Sequence, residues 1–205
     1  DVAGMGADLF ESYSGSIVAT MALASVATLG IANEKFDSAA FVLPLLVMAI
    51  GIGASFIGTF LVRTSEDASM GRLLWALRTG IFSAGGLVLV GTAIGITVMD
   101  LPYELFVVVL VGLVAGQIIG TATEYYTAFE FSPTKKLAEQ AETGAGTVII
   151  GGLGLGMLST AIPLITIVIA IAIVNELAGL YGIALAAVGM LSTLGVTLAS
   201  DAYGP

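Results

Sequence analysis

The sequence predicts an all-α fold, a polytopic bundle of membrane-spanning helices. Of its 205 residues, 58% are hydrophobic and 10% are charged, and the mean hydropathy is +1.07. Soluble domains are charged at about a quarter of their residues. Six stretches contain no charged residue, and each is at least 19 residues long, close to the roughly 20 residues of a transmembrane helix. These stretches are 12–33, 38–62, 79–99, 105–123, 143–175 and 177–200.

The predicted spans form a single transmembrane bundle over residues 1–205. The fifth charge-free stretch, of 33 residues, would be about 50 Å long as one helix, whereas the hydrocarbon core is about 30 Å thick. Because two spans would need about 40 residues, we expect one long helix that is kinked at Pro163. The spans are placed at about 7–31, 40–62, 76–99, 103–124, 144–172 and 180–201.

The six basic residues predict the orientation, because cytoplasmic loops carry an excess of Lys and Arg. Lys35 lies in a loop on one side of the membrane. The other five lie in the second and fourth loops, which share the opposite side: Arg63, Arg72, Arg78, Lys135 and Lys136. That shared side is therefore predicted to be the cytoplasm, and six spans place both Asp1 and Asp201 on it.

The composition excludes several kinds of function. A net charge of −9 argues against nucleic acid as a partner. The chain has no cysteine, which excludes disulfides and thiolate metal sites, and no histidine, so acid–base chemistry would fall to Asp, Glu, Lys or Tyr. The run GGLGLG at 151–156 fits neither the dinucleotide-binding nor the P-loop pattern, and no predicted strand precedes it.

Three carboxylates lie in the opening segment, DVAGMGADLFESY: Asp1, Asp8 and Glu11. In one helix Asp1 and Asp8 lie two turns apart, about 20° from eclipsed, and Glu11 follows Asp8 on nearly the same face. From Asp1 to Glu11 the helix rises about 15 Å. Because lipid would reject an acidic face, we expect this face to lie toward a protein interior. An ionisable residue at the depth of Glu11 indicates a functional site.

A plainer interpretation of these acids remains open. Asp1 and Asp8 could lie in the interfacial zone, where the helix dipole stabilises negative charge at a helix start. Glu11 fits this interpretation least well, because the third turn should already enter hydrocarbon. Asp201 ends the last predicted span on the same side as Asp1, so the two acids are expected to meet over one cytoplasmic pocket.

Four segments resemble the membrane-bound, ion-pumping inorganic pyrophosphatases: DVAGMGADLFESY, TEYYT, AEQAETGAGTVIIGGLGLGMLSTAIP and the terminal SDAYGP. The resemblance covers the whole chain. It implies a larger fold of about sixteen bilayer-crossing helices per subunit, which works as a homodimer. This chain is similar to the sixth through eleventh of those helices.

The resemblance also implies an activity and roles for individual residues. Pyrophosphate would be hydrolysed with Mg²⁺ at the cytoplasmic face, H⁺ or Na⁺ would be driven outward, and K⁺ and Na⁺ are candidate activators. Asp1 resembles the acid that positions the attacking water, and Asp201 resembles an acid of the same magnesium–pyrophosphate pocket. Asp8 resembles the acid that links this pocket to the ion path. Glu11 resembles the gate glutamate, with Ser12 beside it.

The sequence departs from part of the family's pattern. In the plant-type proton pumps the gate glutamate stands one turn onward, at the position that Gly15 occupies here. The chain is similar instead to bacterial and archaeal sodium pumps and a subset of proton pumps, so both H⁺ and Na⁺ remain open. The family's other acidic motifs and its lysines have no counterpart here. We therefore expect an internal fragment of a longer protein, inactive by itself.

Two other functions were weighed against the pump. A secondary cation transporter could bind an ion with the same acids and without hydrolysis, but it would predict inverted repeats, and the six spans show no convincing halves. A purely structural membrane subunit would leave the acids merely interfacial. The stripe of Asp1, Asp8 and Glu11 argues against this second alternative.

Overall fold

The computed structural model describes residues 2–26, 34–63 and 70–203. Within these ranges the regular structure is helical and there is no strand, which confirms the all-α prediction. The helices are α1 (Val2–Val26), α2 (Glu34–Leu61), α3 (Met70–Val98), α4 (Glu104–Thr127), α5 (Ser132–Ala141), α6 (Ala145–Ser159), α7 (Ala161–Leu191) and α8 (Leu194–Tyr203).

Four segments of the described residues are long and apolar enough to cross a membrane, so the chain is an integral membrane protein. Helices α2, α3 and α4 lie where the second, third and fourth spans were predicted. The predicted total of six crossings stays a prediction. The four segments are Ser38–Leu61, Trp75–Val98, Glu104–Ala141 and Ala145–Leu191.

The predicted fifth span, 144–172, is interrupted one turn before Pro163. Helix α6 ends at Ser159 and α7 begins at Ala161, so the interruption lies at Thr160. Pro163 has no N–H to donate to the carbonyl of Ser159, four residues earlier, and its ring crowds that carbonyl. The interruption therefore lies where a proline at position 163 is expected to disturb the helix.

No loop separates the predicted fifth and sixth spans. Helix α7 continues to Leu191 and changes course at Ala178 (φ −148°, ψ 20°) and Gly179 (φ 57°, ψ −147°). A positive φ is accessible to glycine, which has no Cβ. The sequence predicts a connecting loop between residues 172 and 180. In the structure two residues of irregular backbone, Ala178 and Gly179, take its place.

The chain divides into two compact units. Unit 1 comprises residues 1–113 and 174–205, and unit 2 comprises residues 114–173. In unit 1, α2 packs against α1, α3 and α8. Glycines permit the close approach of α3 to α2: a Cβ at Gly91 would crowd Ile50, and one at Gly95 would crowd Leu46. Small residues that let helix backbones approach are typical of membrane-protein interfaces.

A second close approach in unit 1 joins the first part of α4 to the last part of α7. The backbone carbonyl of Ala186 lies where a Cβ at Gly112 would be, and the carbonyl of Val109 lies 2.7 Å from the Cβ position of Gly189. The two helices run antiparallel at this contact, because residues 109 and 112 face residues 189 and 186. At each of these two positions the backbone of the other helix therefore leaves no room for a Cβ.

Tyr181 is the largest fully buried side chain among the described residues. It donates a hydrogen bond to a backbone carbonyl that lacks its helical donor. Pro44 lies inside α2 and has no N–H to donate to the carbonyl of Ala40, four residues earlier. The hydroxyl of Tyr181 donates to this carbonyl at 2.7 Å. A buried carbonyl without a partner is costly, so this contact compensates for the proline and attaches α7 to α2.

Unit 2 is held near its loops by polar contacts. The Thr134 hydroxyl donates to the carbonyl of Tyr126 at 3.3 Å and joins α5 to the end of α4. The Thr147 hydroxyl lies within hydrogen-bond distance of two carbonyls, that of Gly144 at 2.7 Å and that of Gln140 at 3.1 Å, and the second contact joins α6 to α5. Helix α6 has no buried residue. Its large apolar side chains are exposed: Ile149, Ile150, Leu153, Met157 and Leu158.

Candidate functional site at the acidic edge of α1

Helix α1 carries the predicted ion-path residues on one side. Asp8, Glu11 and Ser12 all lie within the helix and are exposed, and we call these three residues the acidic edge. Gly4 and Gly15 lie on the same side, and a Cβ added at either would meet no atom within 4 Å. The structure therefore places the three predicted residues together on an open surface.

The opposite side of α1 packs against the rest of unit 1. The Tyr13 hydroxyl donates to the carbonyl of Met48 at 2.8 Å. Ile17, Thr20 and Ala24 follow at the spacing of one helical face; Ile17 packs against the core, and the other two are buried. This face fixes the rotation of α1. The residues that the structure describes consequently leave the acidic edge uncovered, and its expected burial stays a prediction.

The packing also defines which end of unit 1 carries the start of α1. Tyr13 lies at the level of Met48, and the connection from Val26 to Glu34 is too short to return along α2, whose 28 residues span about 42 Å. Residue numbers thus rise along α1 as they fall along α2, so the two helices run antiparallel. The start of α1 lies at the end of unit 1 where α2 finishes, at Leu61.

Helix α3 begins at this same end. A Cβ at Gly80 would crowd Val62, whereas Gly95, further along α3, faces Leu46 near the other end of α2. Arg63 follows α2 directly and Arg72 lies in the first turn of α3, so both arginines belong to the end at which α1 starts. This end of unit 1 therefore carries the start of α1 together with Arg63 and Arg72.

Helix α8 runs parallel to α2 and finishes at this end as well. Gly51 faces the backbone of Ser192, and Gly195 faces the side chain of Ser55, so residue numbers rise together along both helices. Asp201 lies in α8, but its side chain is outside what the structure describes. Asp1 lies outside the described residues altogether. The meeting of these two acids stays a prediction, and the parallel course of α8 is consistent with it.

The described residues do not assemble a metal site by themselves. No group of three or more Asp, Glu, His or Cys side chains suited to a metal ion occurs among them. Asp8 and Glu11 contribute two carboxylates, one turn apart, to the acidic edge. Further oxygen ligands would be needed for a hard cation, which prefers six or more.

One concave feature was not foreseen from the sequence. A cavity of about 380 Å³ lies within unit 2, between the end of α4, helix α5 and helix α6. Tyr125, Ser132, Lys136 and Gln140 contribute polar groups to its lining. These residues belong to two elements, α4 and α5, and α6 completes the lining with Gly151, Gly154, Leu155 and Leu158.

Comparison with known proteins places the whole chain in one family. The family model described as inorganic H⁺ pyrophosphatase matches residues 1–205. A protein of Bacteroides thetaiotaomicron, named as a K⁺-stimulated pyrophosphate-energized sodium pump, is 48% identical over 216 residues, which cover 100% of this chain and 29% of that protein. A protein of the same name from Clostridium tetani is 45% identical over 212 residues, 100% of this chain and 30% of its own length.

The chain thus spans less than a third of the length of these relatives. The match extends from the opening acidic segment through α8, and it confirms the resemblance first indicated by the four sequence segments. The chain belongs to the inorganic H⁺ pyrophosphatase family.

Proposed function

We propose that the protein containing this chain hydrolyses pyrophosphate and uses the released free energy to pump a cation across the membrane. The observation that carries the proposal is the acidic edge: two carboxylates and a hydroxyl on one face of a helix in an integral membrane protein. Within the span that the sequence predicts at residues 7–31, such acids would be costly and therefore retained for function. The relatives' names, which describe pyrophosphate-energized sodium pumps, support the same conclusion.

The proposed roles follow the order of the acids along the bundle. Asp1 positions the attacking water, and Asp201 belongs to the same pocket, where Mg²⁺ carries the pyrophosphate. A polyanion binds near carboxylates only through a hard cation with oxygen ligands. Ligands beyond these two acids would come from parts of the protein outside these 205 residues.

The acidic edge then forms the path for the transported ion. Asp8 links the hydrolytic pocket to Glu11, about 4.5 Å further along the helix axis, and Glu11 with Ser12 binds Na⁺ or H⁺ at the gate. We propose that segments outside this chain cover the edge, because an acidic face in contact with lipid is unfavourable. The open positions at Gly4 and Gly15 leave room for such a neighbour.

Orientation and assembly are part of the same proposal. The end of unit 1 with Arg63 and Arg72 faces the cytoplasm, as expected from the excess of basic residues in cytoplasmic loops, so hydrolysis takes place there. The protein works as a homodimer, and K⁺ stimulates it as it does the named relatives.

The test uses the full-length protein reconstituted into sealed vesicles. Mg-pyrophosphate is added outside, and phosphate release, ²²Na⁺ uptake and lumenal pH are followed with and without Na⁺ and K⁺. We expect phosphate release that depends on Mg²⁺ and rises with K⁺, together with Na⁺ uptake or lumenal acidification. Ion transport down a gradient without any phosphate release would contradict the proposal and favour a secondary transporter.

A further inference from the structure

The cavity of unit 2 has a lining that differs in character between two of its walls. Helices α5 and α6 form an antiparallel pair, because Leu137 and Gln140 near the end of α5 approach Gly151 in the first half of α6. In this register Lys136, one turn before Gln140, lies at about the level of Leu155. The cavity therefore has a polar wall on α5 and an apolar wall on α6.

The wall formed by α6 is the apolar one. Gly154, Leu155 and Leu158 line it, and α6 continues toward the apolar α7. Tyr125 and Tyr126, at the end of α4, also line the cavity, and tyrosines are enriched where a membrane meets water. This wall therefore suits an acyl chain or a glycerol backbone.

The wall formed by α5 carries the polar groups. Ser132, Lys136 and Gln140 lie at successive turns of α5 and line the cavity. Lys136 is the charged residue of the lining, and no Asp or Glu is among the described residues that form it. An ammonium group offers three hydrogen-bond donors, so this wall suits an anionic group.

We propose that this cavity binds an anionic phospholipid, with the phosphate at Lys136 and Gln140 and the acyl region against Leu155 and Leu158. The volume of about 380 Å³ lies within the usual range of ligand pockets, about 300–1,000 Å³, and accommodates a headgroup with the first part of its chains. Basic residues at the cytoplasmic end of membrane helices are typical contacts of anionic headgroups. The proposal does not depend on hydrolysis or ion pumping.

The two lysines of α5 provide a matched pair of variants. Lys136 lines the cavity, whereas its neighbour Lys135 does not, and both are exposed. The full-length protein is purified in detergent, depleted of lipid and titrated with phosphatidylglycerol, and bound lipid is measured by native mass spectrometry. We expect K136Q to weaken binding about fivefold, the usual effect of one basic residue near an anionic surface, and K135Q to weaken it less than twofold.

A second pair tests the space itself. Gly154 lines the cavity and Gly156 does not; a Cβ at either would meet no atom within 4 Å, so neither substitution is expected to disturb the fold. G154L should fill the cavity and reduce phosphatidylglycerol binding at least as strongly as K136Q, whereas G156L should leave it unchanged. Equal binding by G154L and G156L, or by K136Q and K135Q, would overturn the proposal.

Two further titrations identify the source of the phosphate. Phosphatidylcholine with the same acyl chains should bind more weakly than phosphatidylglycerol, because it carries no net charge. Inorganic phosphate at millimolar concentration should not displace phosphatidylglycerol. Complete displacement by inorganic phosphate would show a site for free anions and would contradict the lipid assignment, as would equal binding of the two lipids.

Discussion

The two units of the chain bury apolar residues to very different degrees. In unit 1, Leu43, Val108 and Leu185 are each 0% exposed, and the helices approach one another at glycines. In unit 2, α6 buries no residue, and the first half of α7 leaves Ile165 61% and Val168 65% exposed. The apolar content of the helices is high in both units.

This difference separates two uses of an apolar side chain in a membrane protein. In unit 1 the apolar residues pack against other helices of the same chain, where shape decides stability. In unit 2 they present a surface suited to lipid or to other segments of a longer protein. Substitutions should therefore be costly in unit 1 and tolerated in unit 2, and the following predictions rank that contrast from the largest effect to the smallest.

The largest effect is expected from truncation of a buried leucine. Leu185→Ala leaves a cavity inside unit 1 and should lower the free energy of unfolding by about 2–5 kcal/mol. Leu164→Ala in α7, where the side chain is 59% exposed, should change it by less than about 0.5 kcal/mol. Both are measured as the thermal stability of the full-length protein in detergent. Similar losses in the two variants would remove the contrast between the units.

A pair of glycine substitutions in α4 should have opposite signs. Gly112→Ala places a methyl group on the backbone carbonyl of Ala186 and should destabilise the protein by about 1–3 kcal/mol. Gly120→Ala meets open space and should stabilise the helix by up to about 1 kcal/mol, because alanine is the better helix former. The midpoints of thermal unfolding decide the signs, and two destabilised variants would contradict the predicted geometry.

The Tyr181 hydroxyl offers a prediction by double-mutant cycle. Tyr181→Phe leaves the carbonyl of Ala40 without its donor and should cost about 1–3 kcal/mol. In a Pro44→Ala background, the new N–H of residue 44 can bond to that carbonyl, so the same substitution should become nearly neutral. The coupling energy is obtained from unfolding of the four proteins. A cost for Tyr181→Phe that is unchanged by Pro44→Ala would exclude this role of the tyrosine.

The smallest effect is expected in unit 2. Thr147→Val removes an exposed hydroxyl that donates to the carbonyl of Gln140, and it should cost about 0.5–1 kcal/mol or less, the net worth of one hydrogen bond. Hydrogen exchange of the amides around residue 147 should detect it, while the global unfolding temperature stays within error. A global loss comparable to that of Leu185→Ala would show that unit 2 is held as firmly as unit 1.

Helix content and position were largely predictable from the sequence. Charge-free stretches located α2, α3 and α4, because only helices satisfy their own backbone in lipid over such lengths. Gly91 and Gly95, four residues apart, both face α2. Gly152 and Gly156 have the same spacing, but Gly156 meets no neighbour within the described residues, because spacing alone does not say whether a partner helix is present.

The remaining features depend on contacts between distant residues. The sequence shows Pro44 inside an apolar stretch, but nothing local indicates that Tyr181, far along the chain, supplies the missing donor. For the candidate site, the sequence predicted that Asp8, Glu11 and Ser12 share one face, and their exposure depends on the rotation that Tyr13 and its neighbours impose on α1.

The central claim is that the acids along one side of the opening segment have separate roles: Asp1 acts in hydrolysis and Glu11 acts in ion transport. The most direct measurement is the ratio of ²²Na⁺ or H⁺ uptake to phosphate release in vesicles containing the full-length protein, compared among wild type, Asp1→Ala, Glu11→Ala and the control Glu139→Gln, whose exposed acid lies in the polar helix α5. We expect Asp1→Ala to lower hydrolysis by about 10²-fold or more, Glu11→Ala to lower uptake far more than hydrolysis, and Glu139→Gln to leave both unchanged. An unaltered uptake-to-hydrolysis ratio in Glu11→Ala would contradict the account.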